Sequence, residues 1–258
     1  MSGPARDRQR LKRRIDDFLW NDRSMPMVRL RGLLTNQFSG LGRVAIIGGF
    51  VRDIARSGRD SFRSDVDLVI DAPADEVKEL AICLAAEANR FGGYAYHHPH
   101  WKIDFWALEN TWAVVHGHVQ AQKLEDLTRA TFFDCDAILY DVSNRRVLAQ
   151  DTYFERLASN EIEINLLPTP SEDGNLLRAI RRVFCWGCEP GPRLRHFISE
   201  ALDEDRFNRI HEVELRLYAD PVTRYFANAS ALREGLMDPT VRSNLNTSVA
   251  EQMRLPGV

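Results

Sequence analysis

The stretch AIIGGFVRDIARSGRDSFRSDVDLVID, Ala45 to Asp71, decides the fold, because it sets two apolar runs on either side of a glycine pair and a helix-like segment. The run that ends at Ile47 is typical of a short buried strand, and SDVDLVID is typical of a second strand. Between them, FVRDIARSG is typical of a helix. The stretch therefore predicts a strand, a glycine turn, a helix and another strand.

The second predicted strand carries two carboxylates, Asp65 and Asp67, at alternate positions. Side chains alternate along a strand, so both project from the same face, about 7 Å apart. At an effective dielectric of about 20 their repulsion is about 2 kcal/mol, which a divalent cation would turn into attraction. Such oxygen ligands suit Mg²⁺, which binds one or two carboxylates plus substrate phosphates. The alternative is that Asp65 caps the strand or pairs with an arginine.

A third carboxylate, Asp104, lies in the predicted strand WKIDFWAL between the apolar residues Ile103 and Phe105. If this strand is the neighbour of the one that carries Asp65 and Asp67, three carboxylates converge. They could then hold two metal ions about 3.5–4 Å apart, an arrangement that activates a hydroxyl and stabilises a leaving phosphate. The alternative is that Asp104 lies on a solvated edge of the sheet.

The glycine pair Gly48 and Gly49 stands between the first strand and the helix. Glycines at this place let backbone amides approach an anion, and the N-terminus of the following helix favours phosphate. Arg52, one turn into the helix, adds a guanidinium of fixed charge. A phosphate-binding turn close to a metal site indicates a nucleoside triphosphate.

These motifs together resemble a known family. IIGGFVRDIARSG followed by SDVDLVI is similar to the signature of the bacterial-type head domain of poly(A) polymerases and tRNA CCA-adding nucleotidyltransferases, within the DNA polymerase beta-like superfamily. The resemblance implies that Asp65 and Asp67 bind the metals and that Asp104 is the third carboxylate. It also implies that Asp53, in the VRD segment, belongs to the nucleotide-binding set.

A weaker resemblance follows further along the chain. DAILYD, Asp136 to Asp141, is similar to an N-A-x-A-Y-D segment of the family, which implies a nucleotide-binding role for Asp136. The Arg-Arg-Asp that opens this motif in the family is replaced by Ala130, Thr131 and Phe132. Arg129 is then the residue expected to substitute for the missing arginines.

SEDGNLLRAIRR resembles the helix with which the family recognises the incoming base, E-D-x-x-R-x-x-R-A-x-R. Alignment on Arg178 places Ser171, Glu172 and Asn175 where the family has Glu, Asp and Arg. The resemblance implies that Glu172, Asn175 and Arg178 contact the nucleotide, with an altered base-reading pair.

The fold class expected from these segments is α+β: a nucleotidyltransferase-type mixed β-sheet with flanking helices, followed by a small all-α region. We expect an N-terminal helical segment over residues 1–40, a head domain over 41–167 and a helical domain over 168–258. A helix is predicted from Ala74 to Phe91, and no strand is predicted after Gly174.

The composition indicates a soluble globular protein of 258 residues, 44% hydrophobic, with a formal net charge of -3. The segment from Arg6 to Arg63 is rich in arginine, so it could face phosphates or form a solvated helix face. No apolar run reaches the roughly 20 residues of a membrane span and no signal peptide is evident, so we expect a cytoplasmic protein. The four cysteines are expected to be reduced thiols, most of them in the core.

The preferred hypothesis is a nucleotidyltransferase that uses Mg²⁺ or Mn²⁺ to move a nucleoside monophosphate from a nucleoside triphosphate to an acceptor hydroxyl. The family resemblance favours an RNA 3′ end of the tRNA type. An alternative is transfer to a small molecule or a protein, as in antibiotic-modifying, toxin or antitoxin enzymes. A third is a catalytically weak module that binds nucleotide or RNA. The outer faces of the terminal helices leave room for a homodimer.

Overall fold

The computed structural model of the chain describes residues 3–59, 62 and 65–252. They form two compact units: residues up to 159 with 165–168, and residues 160–164 with those from 169 onward. Arg63 of the predicted basic segment and Ser64 at the start of the predicted second strand lie outside the described residues. The segment boundaries predicted after residues 40 and 167 stay predictions.

The first unit combines six helices with a seven-stranded sheet in its described residues. The helices are α1 (Arg8–Ile15), α2 (Met25–Leu33), α3 (Gly49–Ser57), α4 (Ala74–Cys83), α5 (Trp112–Val115) and α6 (Tyr153–Ser159). The strands are β1 (Arg43–Ile47), β2 (Val66–Asp71), β3 (Glu87–Ala88), β4 (Tyr94–His98), β5 (Trp101–Ala107), β6 (Ile138–Asp141) and β7 (Arg146–Ala149).

The sheet is mixed, with the strand order β3-β4-β5-β2-β1-β6-β7. Strands β2 and β5 pair in parallel, whereas the other neighbouring strands pair antiparallel. Strand β1, helix α3 and strand β2 follow one another as predicted from the stretch Ala45 to Asp71. The predicted α+β fold class with a mixed sheet is confirmed.

The two faces of the sheet are covered by different segments. One face packs against the first four helices, and its apolar cluster includes the sheet residues Val44, Ile46, Leu68, Ile70 and Phe105 and the helix residues Leu11, Leu30, Phe50 and Val77. The other face carries a smaller cluster of Ala45, Ile47, Val69 and Leu139 with Leu108, Leu124 and Leu127. Because side chains alternate along β2, Asp67 lies on the same face as Val69.

The predicted N-terminal helix is present as α1, continued by a π-helical segment, Asp16–Asn21. Leu11, Ile15 and Leu19 are fully buried in this segment, and Phe18 is partly buried. The prediction of a helix from Ala74 to Phe91 is wrong in its second half, because α4 ends at Cys83. Ala85 takes a left-handed conformation, φ 52°, which turns the chain out of the helix and towards β3.

The second unit is mainly helical. Its helices are α7 (Glu172–Trp186), α8 (Pro192–Ala201), α9 (Glu204–Leu217), α10 (Ala229–Met237) and α11 (Pro239–Gln252). It also contains a parallel pair of two-residue strands, β8 (Glu161–Ile162) and β9 (Glu189–Pro190). The prediction of no strand after Gly174 is therefore wrong. A two-residue strand that contains a proline has no alternating pattern by which sequence analysis could detect it.

In the described part of the chain, no helix combines the length and the apolar composition that crossing a membrane requires. The four cysteines are free thiols, and only Cys188 among them is buried, so the prediction that most of them lie in the core is wrong.

Candidate active site

Asp67 and Asp104 lie opposite each other on neighbouring strands. The parallel register of β2 and β5 pairs Asp67 directly with Asp104, so their side chains share one face of the sheet. The strand of Asp104 is therefore the neighbour of the strand of Asp67, which is the condition set above for the carboxylates to converge. A one-residue shift of this register would send one carboxylate to the apolar face that the first four helices cover.

Lys102 lies between Asp65, the third predicted carboxylate, and Asp104. Its Nζ donates to Oδ2 of Asp65 at 2.7 Å and lies 3.3 Å from Oδ2 of Asp104. The hydrogen bond to Asp65 and the nearby charge of Asp104 raise the pKa of Lys102, despite the opposing effect of burial, so the amine stays charged. Sequence analysis missed Lys102, although its position two residues before Asp104 puts both on the same face of the strand.

The side chain of Asp67 is half-buried, and its pKa is raised. Burial raises its pKa to about 7, the charges of Asp104 and Asp65 add to the rise, and Lys102 and Arg52 oppose it. The ionised form of Asp67 is thus disfavoured in the protein alone. A cation bound beside Asp67 would favour the ionised form.

The donor chemistry fits a hard divalent cation. Asp67 and Asp104 offer carboxylate oxygens from adjacent, register-matched positions, and Mg²⁺ binds one or two carboxylates together with phosphate oxygens. Among the residues that the structure describes, no three His, Cys, Asp or Glu side chains are grouped so that they could hold a metal ion on their own. The arrangement of three carboxylates around two metals stays a prediction.

The glycine turn lies close to Asp67. Gly48 precedes α3 with φ 71° and ψ -129°, a conformation that favours glycine, and a Cβ built at this position would lie 3.4 Å from Oδ2 of Asp67. Gly49 is the buried first residue of α3. The turn predicted to bind phosphate and the carboxylate predicted to bind metal are therefore neighbours in space.

Arg52 is fixed between two acidic residues that the sequence also singled out. Its Nη1 donates to Oδ1 of Asp136 at 2.7 Å and its Nε donates to Oδ1 of Asp53 at 2.8 Å. Burial lowers the pKa of Arg52, but the charges of Asp136 and Asp53 outweigh it, and the net pKa lies above the usual value. The structure thus brings three predicted nucleotide-binding residues together as an ion-paired group that links α3 to the segment before β6.

Arg129 lies in a different environment. Its exposed guanidinium donates to Oδ1 of Asp126 at 3.0 Å. It lines a polar cavity of about 860 Å³ together with His118, Lys123, Gln150 and Asn165. The preceding expectation, that Arg129 replaces missing arginines in a nucleotide site, stays a prediction.

The three residues predicted to contact the base lie at the start of α7 in the second unit. Ser171 caps this helix by accepting a hydrogen bond from the amide of Gly174 at 3.3 Å. Asn175 is buried; its amide donates to Oγ1 of Thr169 at 2.6 Å and accepts from Nη1 of Arg178 at 2.8 Å. Arg178 is exposed. The amide of Asn175 is therefore engaged within its own unit.

Glu172, the first residue of α7, is held from the neighbouring helix. Its Oε2 accepts a hydrogen bond from Nη2 of Arg206 on α9 at 3.0 Å. The pair is partly exposed, so it would exchange readily with an external ligand.

No model of a protein family and no curated protein matches the chain. Several solved structures are similar to it. A CCA-adding enzyme with CTP superposes with a TM-score of 0.55 and 19% sequence identity, over 82% of this chain and 53% of that one. The chain shares the fold of this enzyme. The Thermotoga maritima CCA-adding enzyme complexed with tRNA_CCA gives a TM-score of 0.54 and 18% identity over 89% of this chain and 55% of that one.

A CCA-adding enzyme with ATP is similar to the same degree, with a TM-score of 0.52 and 17% identity over 77% of this chain and 50% of that one. The chain spans about half the length of each of these structures. At such identities the likeness establishes the fold alone.

Proposed function

We propose that the protein is a nucleotidyltransferase that moves a nucleoside monophosphate from a nucleoside triphosphate to an acceptor hydroxyl and releases pyrophosphate. The observation that carries this proposal is the pairing of Asp67 with Asp104 across two parallel strands, beside the glycine turn at Gly48. A pair of carboxylates that can hold a divalent cation, next to a turn suited to phosphate, supports phosphoryl-group transfer.

The acidic residues have separate roles in this proposal. Asp67 and Asp104 would hold Mg²⁺ or Mn²⁺ with Asp65 as a further ligand, and the bound cation would neutralise charge on the phosphates. The oxygen of the acceptor hydroxyl attacks the α-phosphorus, and the bond between that phosphorus and the bridging oxygen to the β-phosphate breaks. Asp104, the less exposed neighbour of Lys102, accepts the hydroxyl proton.

The glycine turn and Arg52 would position the triphosphate. Gly48 and Gly49 open the first turn of α3, where backbone N–H groups and the helix dipole favour an anion. Arg52 would hold the turn in position without contacting the phosphates, because its guanidinium is paired with Asp53 and Asp136. Positioning of this kind is the main source of catalysis in phosphoryl transfer.

An RNA 3′ end of the tRNA type is the acceptor that we propose. Solved structures with this fold include CCA-adding enzymes with CTP, with ATP and with tRNA_CCA. The sequence resemblance of α7 to a base-reading helix supports the same substrate class, with Glu172, Asn175 and Arg178 as the proposed contacts and Arg129 as a further one.

A second acceptor class is favoured by two observations. The side-chain amide of Asn175 is hydrogen-bonded to Thr169 and Arg178. Phe132, where the sequence motif has an acidic residue, is buried beside Phe133. Both residues depart from the polar residues of the family motifs, and these departures favour transfer of a nucleotide onto a small molecule or a protein hydroxyl.

The acceptor is tested by supplying each nucleoside triphosphate, labelled on the α-phosphate, with Mg²⁺ or Mn²⁺ and one acceptor at a time. The acceptors are bulk tRNA, a short single-stranded RNA, total protein and a panel of aminoglycosides. We expect label on RNA with the unaltered protein and none with Asp67→Ala combined with Asp104→Ala. If label appears only on protein or on an aminoglycoside, the RNA acceptor is wrong and the small-molecule or protein acceptor takes its place. If the double variant still transfers label, Asp67 and Asp104 are not the catalytic site.

A further inference from the structure

We propose that Lys102 is an internal counter-cation that makes divalent metal binding at Asp67 and Asp104 depend on the arrival of a nucleoside triphosphate. This inference rests on the nucleotidyl transfer proposed above. It assigns Lys102 as a substrate-binding residue that exchanges its carboxylate partners for phosphate.

The ammonium group of Lys102 contacts carboxylate oxygens that a metal ion would need as ligands. It bonds to Oδ2 of Asp65 at 2.7 Å and lies 3.3 Å from Oδ2 of Asp104, one of the two carboxylates of the register-matched pair. An ammonium within this distance neutralises part of the negative charge that would attract a divalent cation. A metal that arrives alone must therefore compete with Lys102 for Asp104.

The same contacts are weak enough to be exchanged. The side chain of Lys102 is 44% exposed and that of Asp65 is 48% exposed, while that of Asp104 is 24% exposed. Ion pairs at such exposed positions contribute little net stability, and a lysine stem has several rotatable bonds. Lys102 can therefore turn away from Asp65 and Asp104 when a more highly charged partner comes within reach.

A triphosphate is such a partner. It carries several negative charges, and on the proposed site it lies between the glycine turn at Gly48 and the carboxylates. When Lys102 turns to a phosphate oxygen, Asp104 becomes available to the metal that the triphosphate brings with it. Metal and nucleotide then bind together, and the carboxylates do not collect divalent cations from solution in the absence of substrate.

Two measurements on the full chain test this assignment. In the first, Mn²⁺ binding is measured without nucleotide by electron paramagnetic resonance of the free ion, on the unaltered protein and on Lys102→Met. We expect Lys102→Met to bind Mn²⁺ about tenfold more tightly, because the competing charge is gone. Lys102→Arg keeps the charge and is expected to keep the weak binding. Lys78→Met removes an exposed lysine of α4 and is expected to change nothing.

In the second, binding of ATP and CTP is measured by calorimetry in EDTA. Lys102→Met is expected to bind either triphosphate at least threefold more weakly, with a smaller effect on the monophosphates. Adding a non-hydrolysable ATP analogue should raise the Mn²⁺ affinity of the unaltered protein more than that of Lys102→Met. Equal or weaker Mn²⁺ binding by Lys102→Met, in a variant with an unchanged far-ultraviolet circular dichroism spectrum, would overturn the proposal.

Asp104→Asn separates the two proposals. If Asp104→Asn lowers Mn²⁺ affinity while Lys102→Met leaves it unchanged, the metal site stands and the assignment of Lys102 is wrong. If Asp104→Asn binds Mn²⁺ as the unaltered protein does when the non-hydrolysable ATP analogue is present, the metal site of the proposed function is wrong.

Discussion

Gly48 lies against Asp67: a methyl group at position 48 would come within 3.4 Å of Oδ2 of Asp67, and the backbone of Gly48 has φ 71°. The turn that ends β1 and the carboxylate that faces the candidate site therefore constrain each other. The backbone conformation of position 48 favours glycine, and the methyl group of an alanine there would be in van der Waals contact with the carboxylate.

Gly48→Ala should therefore impair both stability and activity. The left-handed conformation is expected to cost about 1–3 kcal/mol of unfolding free energy, measured by urea denaturation. Triphosphate affinity should fall as well, because the first turn of α3 is displaced. Gly32→Ala in α2 is the matched control: nothing lies within 4 Å of its added methyl group, so stability should be unchanged or slightly increased. Equal stability of the two variants would contradict the role of Gly48.

Asp67→Asn should stabilise the metal-free protein and abolish transfer. The pKa of Asp67 in the folded protein is about 7, above the roughly 3.9 expected in the unfolded chain. The folded state therefore keeps a proton that the unfolded state loses, and stability falls as the pH rises from about 4 to about 7. At pH 8 in EDTA we expect Asp67→Asn to gain on the order of 2 kcal/mol over the unaltered protein.

The gain of Asp67→Asn should be almost lost near pH 4, where Asp67 is protonated in the folded state and about half protonated in the unfolded chain. Chemical denaturation at pH 8 and at pH 4 measures this difference directly. A gain of the same size at both pH values would mean that the amide improves packing and that Asp67 carries no charge penalty.

Asp141→Asn should have the opposite pH dependence. Asp141 is fully buried and accepts hydrogen bonds from Nη2 of Arg43 at 2.8 Å and from the side chain of Asn144 at 2.9 Å. Burial raises the pKa of Asp141, but these bonds lower it by more, and the net pKa lies below the usual value. The folded state thus favours the ionised form, whose stabilising effect is present above about pH 4 and is lost as the pH falls through the lowered pKa.

We expect Asp141→Asn to lose about 1–3 kcal/mol at pH 7 and progressively less towards pH 3, measured by urea unfolding. Asp151→Asn, which removes an exposed partner of Arg8, is the control and should cost less than about 1 kcal/mol at either pH. A cost for Asp141→Asn that does not decline with acid would refute the charge pairing with Arg43.

Arg52→Lys should raise the KM for triphosphate. A lysine cannot donate from fixed nitrogens to Asp53 and Asp136 at once, so the start of α3 loses its fixed position. Steady-state kinetics should show an increase in KM of about tenfold with a smaller change in kcat, which corresponds to about 1.4 kcal/mol. Arg6→Lys, at an exposed position, should behave like the unaltered protein. An unchanged KM would show that the ion-paired group does not position the turn.

The sequence predicted those parts of the site that depend on local pattern. Alternation along SDVDLVID placed Asp67 on the face opposite Leu68, and the glycine pair marked the start of α3. Pairing of β2 with β5 depends instead on a register between distant strands, so the contact of Lys102 with Asp65 has no local signal. The early end of α4 at Cys83 follows from the backbone of Ala85, an alanine that by itself favours a helix.

The most direct test of the central claim compares a triphosphate labelled on the α-phosphate with one labelled on the γ-phosphate, in the presence of Mg²⁺ and tRNA. Our account predicts that label from the α-phosphate becomes attached to RNA, that label from the γ-phosphate is released as pyrophosphate, and that Asp104→Asn reduces both at least a hundredfold. Covalent transfer of the γ-label, or transfer by Asp104→Asn at the rate of the unaltered protein, would contradict it.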